Sequence, residues 1–167
     1  MKKLAVPKPA DLKDYLGDDV ALSDWICVTQ EMIDLFAQST GDHQWIHVDE
    51  ERASRDTPFK STIAHGFLTL SLLSKFLNDT IDLGVSKMGI NYGLNRVRFT
   101  APVKSGSMVR ARFSLKQVLP IDDGVQLEWQ VIVEAQDETK PVLVAEWLTR
   151  RYGSFSRFYL KKCPNLS

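Results

Sequence analysis

Cysteine is scarce in this chain: two among 167 residues, Cys27 and Cys163. Two thiols so placed make neither a zinc pattern nor a secreted disulfide framework, and a reduced, cytoplasmic setting is expected. An excess of one charge is missing too. Lys plus Arg and Asp plus Glu number 21 each, which excludes the basic footprint that nucleic-acid binding requires. Long apolar runs are also absent. Met1-Lys2-Lys3-Leu4-Ala5-Val6-Pro7 has a charged start but no apolar stretch of signal-peptide length. The greasiest segment, Phe67 to Leu77, is too short to span a bilayer and contains Lys75, so no membrane partner is expected. There is no internal repeat, low-complexity tract or linker. What remains is ordinary globular composition, 44% hydrophobic and 25% charged. It predicts a single domain over residues 1–167, with a core of about 23–151 between an N-terminal lead and a C-terminal tail.

Along the chain, Asp11 to Leu16, closed by Gly17, predicts a short helix, and Trp25 to Val28 a strand. Thr29 is a good N-cap, with Glu31 favourable in the first turn. Met32, Ile33, Leu35, Phe36 and Ala37 follow at helical spacing until Gly41 stops the element. Asp42 to Asp49 reads as a polar segment without helical patterning, and Glu50 to Ser54 as one helical turn. Gly66 to Asn78 predicts a helix apolar nearly all round, hence buried. The second half changes period. Val109, Ala111, Phe113 and Leu115 alternate with polar residues, as do Val125, Leu127, Trp129, Val131 and Val133. Such alternation predicts long strands, with another at Val142 to Leu148. The breaks at 102–106, 120–124 and 137–141 suit hairpin connections. The fold class is α+β: a long curved antiparallel sheet wrapped round one very apolar helix, each covering the other's greasy face.

Chemistry concentrates in Ser39-Thr40-Gly41-Asp42-His43-Gln44-Trp45-Ile46-His47-Val48-Asp49. A carboxylate and an imidazole can share one water, the first taking its proton and the second fixing its orientation. That is general-base hydration chemistry. The same residues would equally serve as caps and turns of a polar loop. A metal is the rival use of the segment. His43 and His47 are four apart, with Asp42, Asp49 and His65 as further ligands. A His pair at that spacing binds metal well on a helix, which this segment is not patterned to form, so no metal is expected.

The second candidate is Ile63-Ala64-His65-Gly66-Phe67, where a His-Gly pair opens the apolar helix. Glycine lets a substrate approach the backbone closely. Free N–H groups at a helix start favour developing negative charge, such as the enolate oxygen formed when water adds beta to a thioester carbonyl. The Gly66 N–H is the natural oxyanion donor, though a glycine needed only for close packing gives the same string. By itself His65 reads as a structural, hydrogen-bonded histidine. Ser71 and Ser74 lie on the same helix, where serine usually bonds back one turn.

Taken together, Thr40 to Asp49 and Ile63 to Phe67 resemble the MaoC-like dehydratases, which include the (R)-specific enoyl-CoA hydratases. Asn91-Tyr92-Gly93-Leu94-Asn95-Arg96-Val97-Arg98-Phe99 and Pro102 to Ser107 extend the likeness toward the single-domain, nodulation-protein-N-like subgroup. The resemblance covers roughly Ser23 to Arg151. It implies a hot-dog fold and a homodimer whose sheets join edge to edge. By position it implies Asp42 and His47 as catalytic pair, the Gly66 amide as oxyanion hole, and Ser74 as a hydroxyl near that pair. Ser74, His65 and Trp45 are thus expected on the substrate-binding side. The hydratase motif often carries Asn-Pro where this chain has Gln44-Trp45, so the bulk of Trp45 bears on the shape of the acyl pocket. Gly153 to Ser167 falls outside the family pattern.

These readings converge on hydration of 2-enoyl-CoA to (R)-3-hydroxyacyl-CoA and its reversal, with CoA as substrate carrier and no metal or redox cofactor. Two rivals stay open: a thioesterase on the same fold, and a non-catalytic acyl-CoA-binding or signalling protein.

Overall fold

The computed structural model describes residues 3–17, 19–84 and 86–153. Most of the C-terminal tail, residues 154–167, lies outside them. A short strand β1 (Leu4–Ala5) leads into a 3₁₀ helix at Pro9–Tyr15, then β2 (Asp19–Leu22) and β3 (Ile26–Cys27). Helices α1 (Gln30–Thr40), α2 (Trp45–Val48), α3 (Glu50–Asp56), α4 (Gly66–Ser71) and α5 (Leu73–Thr80) follow. Strands β4 (Ile81–Asp82), β5 (Met88–Phe99), β6 (Met108–Ile121), β7 (Gly124–Ala135) and β8 (Leu143–Tyr152) complete the order. The large sheet runs β2-β6-β7-β8-β5, with β3 also paired to β6, and all its pairings are antiparallel.

The period-two segments form the strands expected of them. In β7, Val125, Leu127, Trp129, Val131, Val133 and Ala135 are all buried, and the residues between are half-exposed. Their inward row packs with Leu68, Leu72, Leu73, Phe76 and Leu77 of the helical run in one core. At roughly 25 cal/mol per Å² of buried apolar surface, this shared layer is the main stabilising term of the fold.

The greasy segment differs from the single helix expected. It is two helices joined at Leu72, which keeps right-handed helical angles (φ −69°, ψ −14°). It is not buried all round either, since Phe67 is 67% exposed. The polar segment Asp42–Asp49, read as irregular, contains the single turn α2. It can close there because Asp49 N–H donates to Trp45 O. The capping expectations match. Thr29 Oγ1 accepts from Met32 N–H, and Gly41 ends α1 in the left-handed region at φ 75°, open to glycine without strain. β5 and β2 carry no period-two signal in the sequence. β5 sits at the sheet edge with most of its side chains exposed.

Candidate active site

The left-handed turn at Gly41 swings the chain out of α1 and presents Asp42. Its Oδ1 accepts from Gln44 N–H at 3.3 Å, a local turn that orients the carboxylate. The α2 turn then directs His47 inward, where it is 7% exposed. Trp45, half-buried, lies on the outer side with the Arg52 guanidinium 4.1 Å over its ring. Asp49 closes the segment by N-capping α3 through Arg52 N–H.

The extended strip before α4 ties to this turn. Ile63 N–H donates to Ile46 O at 3.1 Å, and Ala64 N–H donates to Val103 O at 2.7 Å. His47 Nδ1–H donates to Ile63 O at 2.6 Å. A carbonyl only accepts, so this bond places the neutral ring's proton on Nδ1 and leaves Nε2 as an acceptor. Gln30 Nε2 donates to His47 O at 2.8 Å and to Asp34 Oδ1 at 2.8 Å, while Thr62 Oγ1 donates to Gln30 Oε1. His47 is thus held at its ring and at its backbone. Gln30 and Thr62 had no local signal: they lie 17 and 15 residues from His47, and only the fold joins them.

His65 is the third member of the cluster. It is 3% exposed, and its ring stacks on that of His47 with centroids 3.8 Å apart. Its Nε2–H donates to Asp42 O at 3.0 Å and lies 3.9 Å from Asp42 Oδ2. Asp42, His47 and His65 each offer a ligand atom, all within 4.8 Å of one another. That span suits a water bridging carboxylate and imidazole through two ordinary hydrogen bonds. The same donors could hold a metal ion, though a metal on His65 Nε2 would compete with its bond to Asp42 O. His43 and Asp49 are not part of this cluster. Burial holds the His47 pKa below its ordinary 6.5; the neighbouring His65 adds to this, and the Ile63 carbonyl and Asp42 oppose it. The ring is therefore a neutral acceptor at neutral pH.

Beside His47 opens a cleft of about 350 Å³, walled by Ile63, Gly66, Thr69, Phe99, Pro102 and Val142 among others. Gly66 is the first residue of α4, so its N–H is one of those without an acceptor inside the helix. Its φ is not left-handed. Space is the tighter constraint: a Cβ here would stand 3.0 Å from the Phe99 ring, which would have to shift by a few tenths of an ångström. No local motif marks Phe99 as a site residue, because its place beside Gly66 arises only from the fold. The structure brings Asp42, His47 and His65 together and puts Gly66 on the adjoining cleft. Trp45 and Ser74 do not line that cleft. Ser74 is exposed on α5 and lines a separate hollow, while Ser71 bonds back to Phe67 O as a structural serine does.

Residues 11–136 match the family model of the MaoC like domain. The chain belongs to the MaoC-like dehydratase family. Among its relatives, 3-hydroxyacyl-thioester dehydratase Z of Mycobacterium tuberculosis is 50% identical over 142 residues, covering 84% of this chain and 93% of that protein. Nodulation protein N of Rhizobium leguminosarum is 47% identical, covering 84% and 88%. The solved R-hydratase PhaJ1 from Pseudomonas aeruginosa is 27% identical with a TM-score of 0.63, covering 87% of this chain and 88% of its own. As in the MaoC-like structures, the helix-in-sheet arrangement is the hot-dog fold. Membership of this family, with relatives named as dehydratases and hydratases, makes the chain an enzyme of the hydro-lyase class.

Proposed function

We propose that this MaoC-like enzyme hydrates 2-enoyl-CoA to (R)-3-hydroxyacyl-CoA and catalyses the reverse dehydration. The observation that carries the reading is the Asp42 carboxylate within 4.8 Å of a His47 ring nitrogen, the His47 ring being locked by Ile63 O. A water between them gives one hydrogen to Asp42 and the other to His47 Nε2, leaving an oxygen lone pair for C3 of the substrate. As the C3–O bond forms, electrons move onto the thioester oxygen, and the Gly66 N–H stabilises that enolate. Asp42 takes the proton released by the water and passes it to C2 as the enolate collapses, which completes the addition and restores the carboxylate. The (R) outcome is supported by the R-hydratase neighbours. His65 supports the substrate side through its bond to Asp42 O, whereas Trp45 and Ser74 stand away from the cleft beside His47. The chemistry needs no metal and no redox cofactor, because the thioester itself activates C3.

The assembly proposed with this function is a cytoplasmic homodimer joined at β5. Among the described residues this edge strand has a neighbour on one side only, and it exposes Tyr92, Leu94 and Phe99. Phe67 packs edge-on to Phe99 beside the cleft, so a partner there would wall the substrate from solvent.

Crotonyl-CoA is the test substrate. Loss of absorbance at the enoyl-thioester band, with (R)-3-hydroxybutyryl-CoA as product, supports hydration. Release of free CoA thiol instead identifies a thioesterase. Tight binding without turnover identifies a carrier or signalling protein.

A further inference from the structure

The inward row of β8 reads Leu143, Ala145, Trp147, Thr149 and Arg151, because alternate residues of a strand share a face. The first four are buried in the core. Arg151 continues the row, half-buried, with a guanidinium where the pattern calls for an apolar residue. Charged groups on such a face are ordinarily paired. Its neighbour Arg150, on the outer row, is: Nε donates to Gln126 Oε1, and the guanidinium covers the Tyr92 ring. Arg151 has no hydrogen bond or ion pair from its guanidinium among the described residues, and its Nε is buried without a partner. Burial alone holds its pKa below that of a free guanidinium, with no anion to offset it.

The strand opposite makes room for this side chain. Gly89 is the register partner of Arg151 on β5, and a Cβ at 89 would overlap Arg151 Nη1. The guanidinium folds over position 89 beside a hollow of about 100 Å³ lined by Ser74, Asn78, Asn91 and Thr149 among others, with no carboxylate on its wall; Arg151 also borders a second hollow that includes Asp82, with which it forms no ion pair. Asn91 Oδ1 and Thr149 Oγ1 are already engaged by tryptophan N–H groups, whereas Ser74 and Asn78 are exposed beside the arginine. Ser74 stands eight residues beyond Gly66 on the same helical run, about 12 Å along it at 1.5 Å per residue.

We propose that Arg151 is a specificity-determining residue whose guanidinium binds an oxyanion, a carboxylate or a phosphate, carried by the thioester substrate. Ser74 and Asn78 supply neutral hydrogen bonds beside it. A guanidinium suits this task because its planar fork matches both groups. The inference rests on the acyl-thioester reading above.

Three substrates separate the sources: a medium-chain 2-enoyl N-acetylcysteamine thioester, which has no anion; the same acyl group on CoA, which adds phosphates; and an N-acetylcysteamine thioester of equal length ending in a carboxylate. Arg151→Gln is expected to raise KM about tenfold or more where the recognised anion is present, and to leave the neutral thioester unchanged. Arg151→Lys restores part of the loss. Gly89→Ala, which keeps the charge but displaces the guanidinium, raises KM on the same substrate. A loss confined to CoA assigns the phosphate, and one confined to the carboxylate-ended thioester assigns the acyl end. The thermal midpoint of Arg151→Gln should hold or rise, since an unpaired charge leaves the core face. An equal effect on all three substrates, or none on any, overturns the proposal. If the wild-type protein turns over none of them, the hydratase reading fails. Calorimetric binding of CoA and of a saturated dicarboxylic acyl thioester to wild type and Arg151→Gln then decides the arginine's role, equal affinities overturning it.

Discussion

Asp42→Asn separates catalysis from folding at this site. Asp42 is 55% exposed at its side chain, and its one side-chain bond to backbone is Oδ1 accepting from Gln44 N–H. Asparagine keeps that oxygen, so the turn survives and stability should change by no more than ~0.5 kcal/mol. The base is lost: an amide nitrogen replaces the second carboxylate oxygen and cannot take a proton from water. General-base catalysis contributes at least ~10²-fold, so the barrier should rise by about 2.7 kcal/mol or more. Initial rates of crotonyl-CoA hydration beside a thermal melt measure both quantities. His47→Ala should lose as much rate but also some stability, because it strands Ile63 O. The double variant should be little slower than either single one, as members of one catalytic unit are not additive. A folded Asp42→Asn protein hydrating at near the wild-type rate would refute the mechanism.

The His47 ring must be neutral to accept from water, and its pKa lies below 6.5. The acid limb of kcat/KM should therefore fall at a pH below 6.5; a limb tracking His47 above that value contradicts the assignment. Stability follows the same sign. Between the folded pKa and 6.5 the unfolded chain binds the extra proton, so stability is lost as pH falls through that window. The comparison is of thermal midpoints against pH for wild type and His47→Gln, which should show the shallower dependence. Activity should survive exhaustive chelation, and zinc-restored activity would make Asp42, His47 and His65 metal ligands instead. Gly66→Pro deletes the proposed oxyanion N–H at a helix position where proline is tolerated, and His65 (φ −57°, ψ 136°) already has a backbone that proline accepts after it. Because side-chain atoms at 66 meet the Phe99 ring, the change belongs in a Phe99→Ala background. There kcat should drop by ~10²-fold or more relative to Phe99→Ala alone, and an unchanged kcat in folded protein would assign the enolate to another donor.

The sequence by itself determined the parts of this fold that obey a local period. β6 and β7 alternate because one face meets the core and the other faces solvent, and that requirement is written into every second residue. Thr29 and Gly41 bound α1 through bonds to their own neighbours, which is why they could be read. The pairing of Asp42 with His47 was legible as a motif, strengthened by the His-Gly step downstream. β5 was not legible as a strand from periodicity. It lies at the sheet edge with much of both faces exposed, so no burial imposes alternation on it. Nor could local pattern show that the helix breaks at Leu72 or that Phe67 points outward. The tertiary structure alone decided what holds the site. Ile63 O and Gln30 reach His47 across 16 and 17 residues, Thr62 braces Gln30, and His65 stacks on His47 from another segment. At Gly66 a side chain would press on a phenylalanine 33 residues away, while its own φ makes no demand for glycine. Arg151 is inward because β8 continues its register past the core, opposite a glycine on β5. Period and capping act over a few residues and leave a local signature, while these contacts arise only when sheet and helix close on one another.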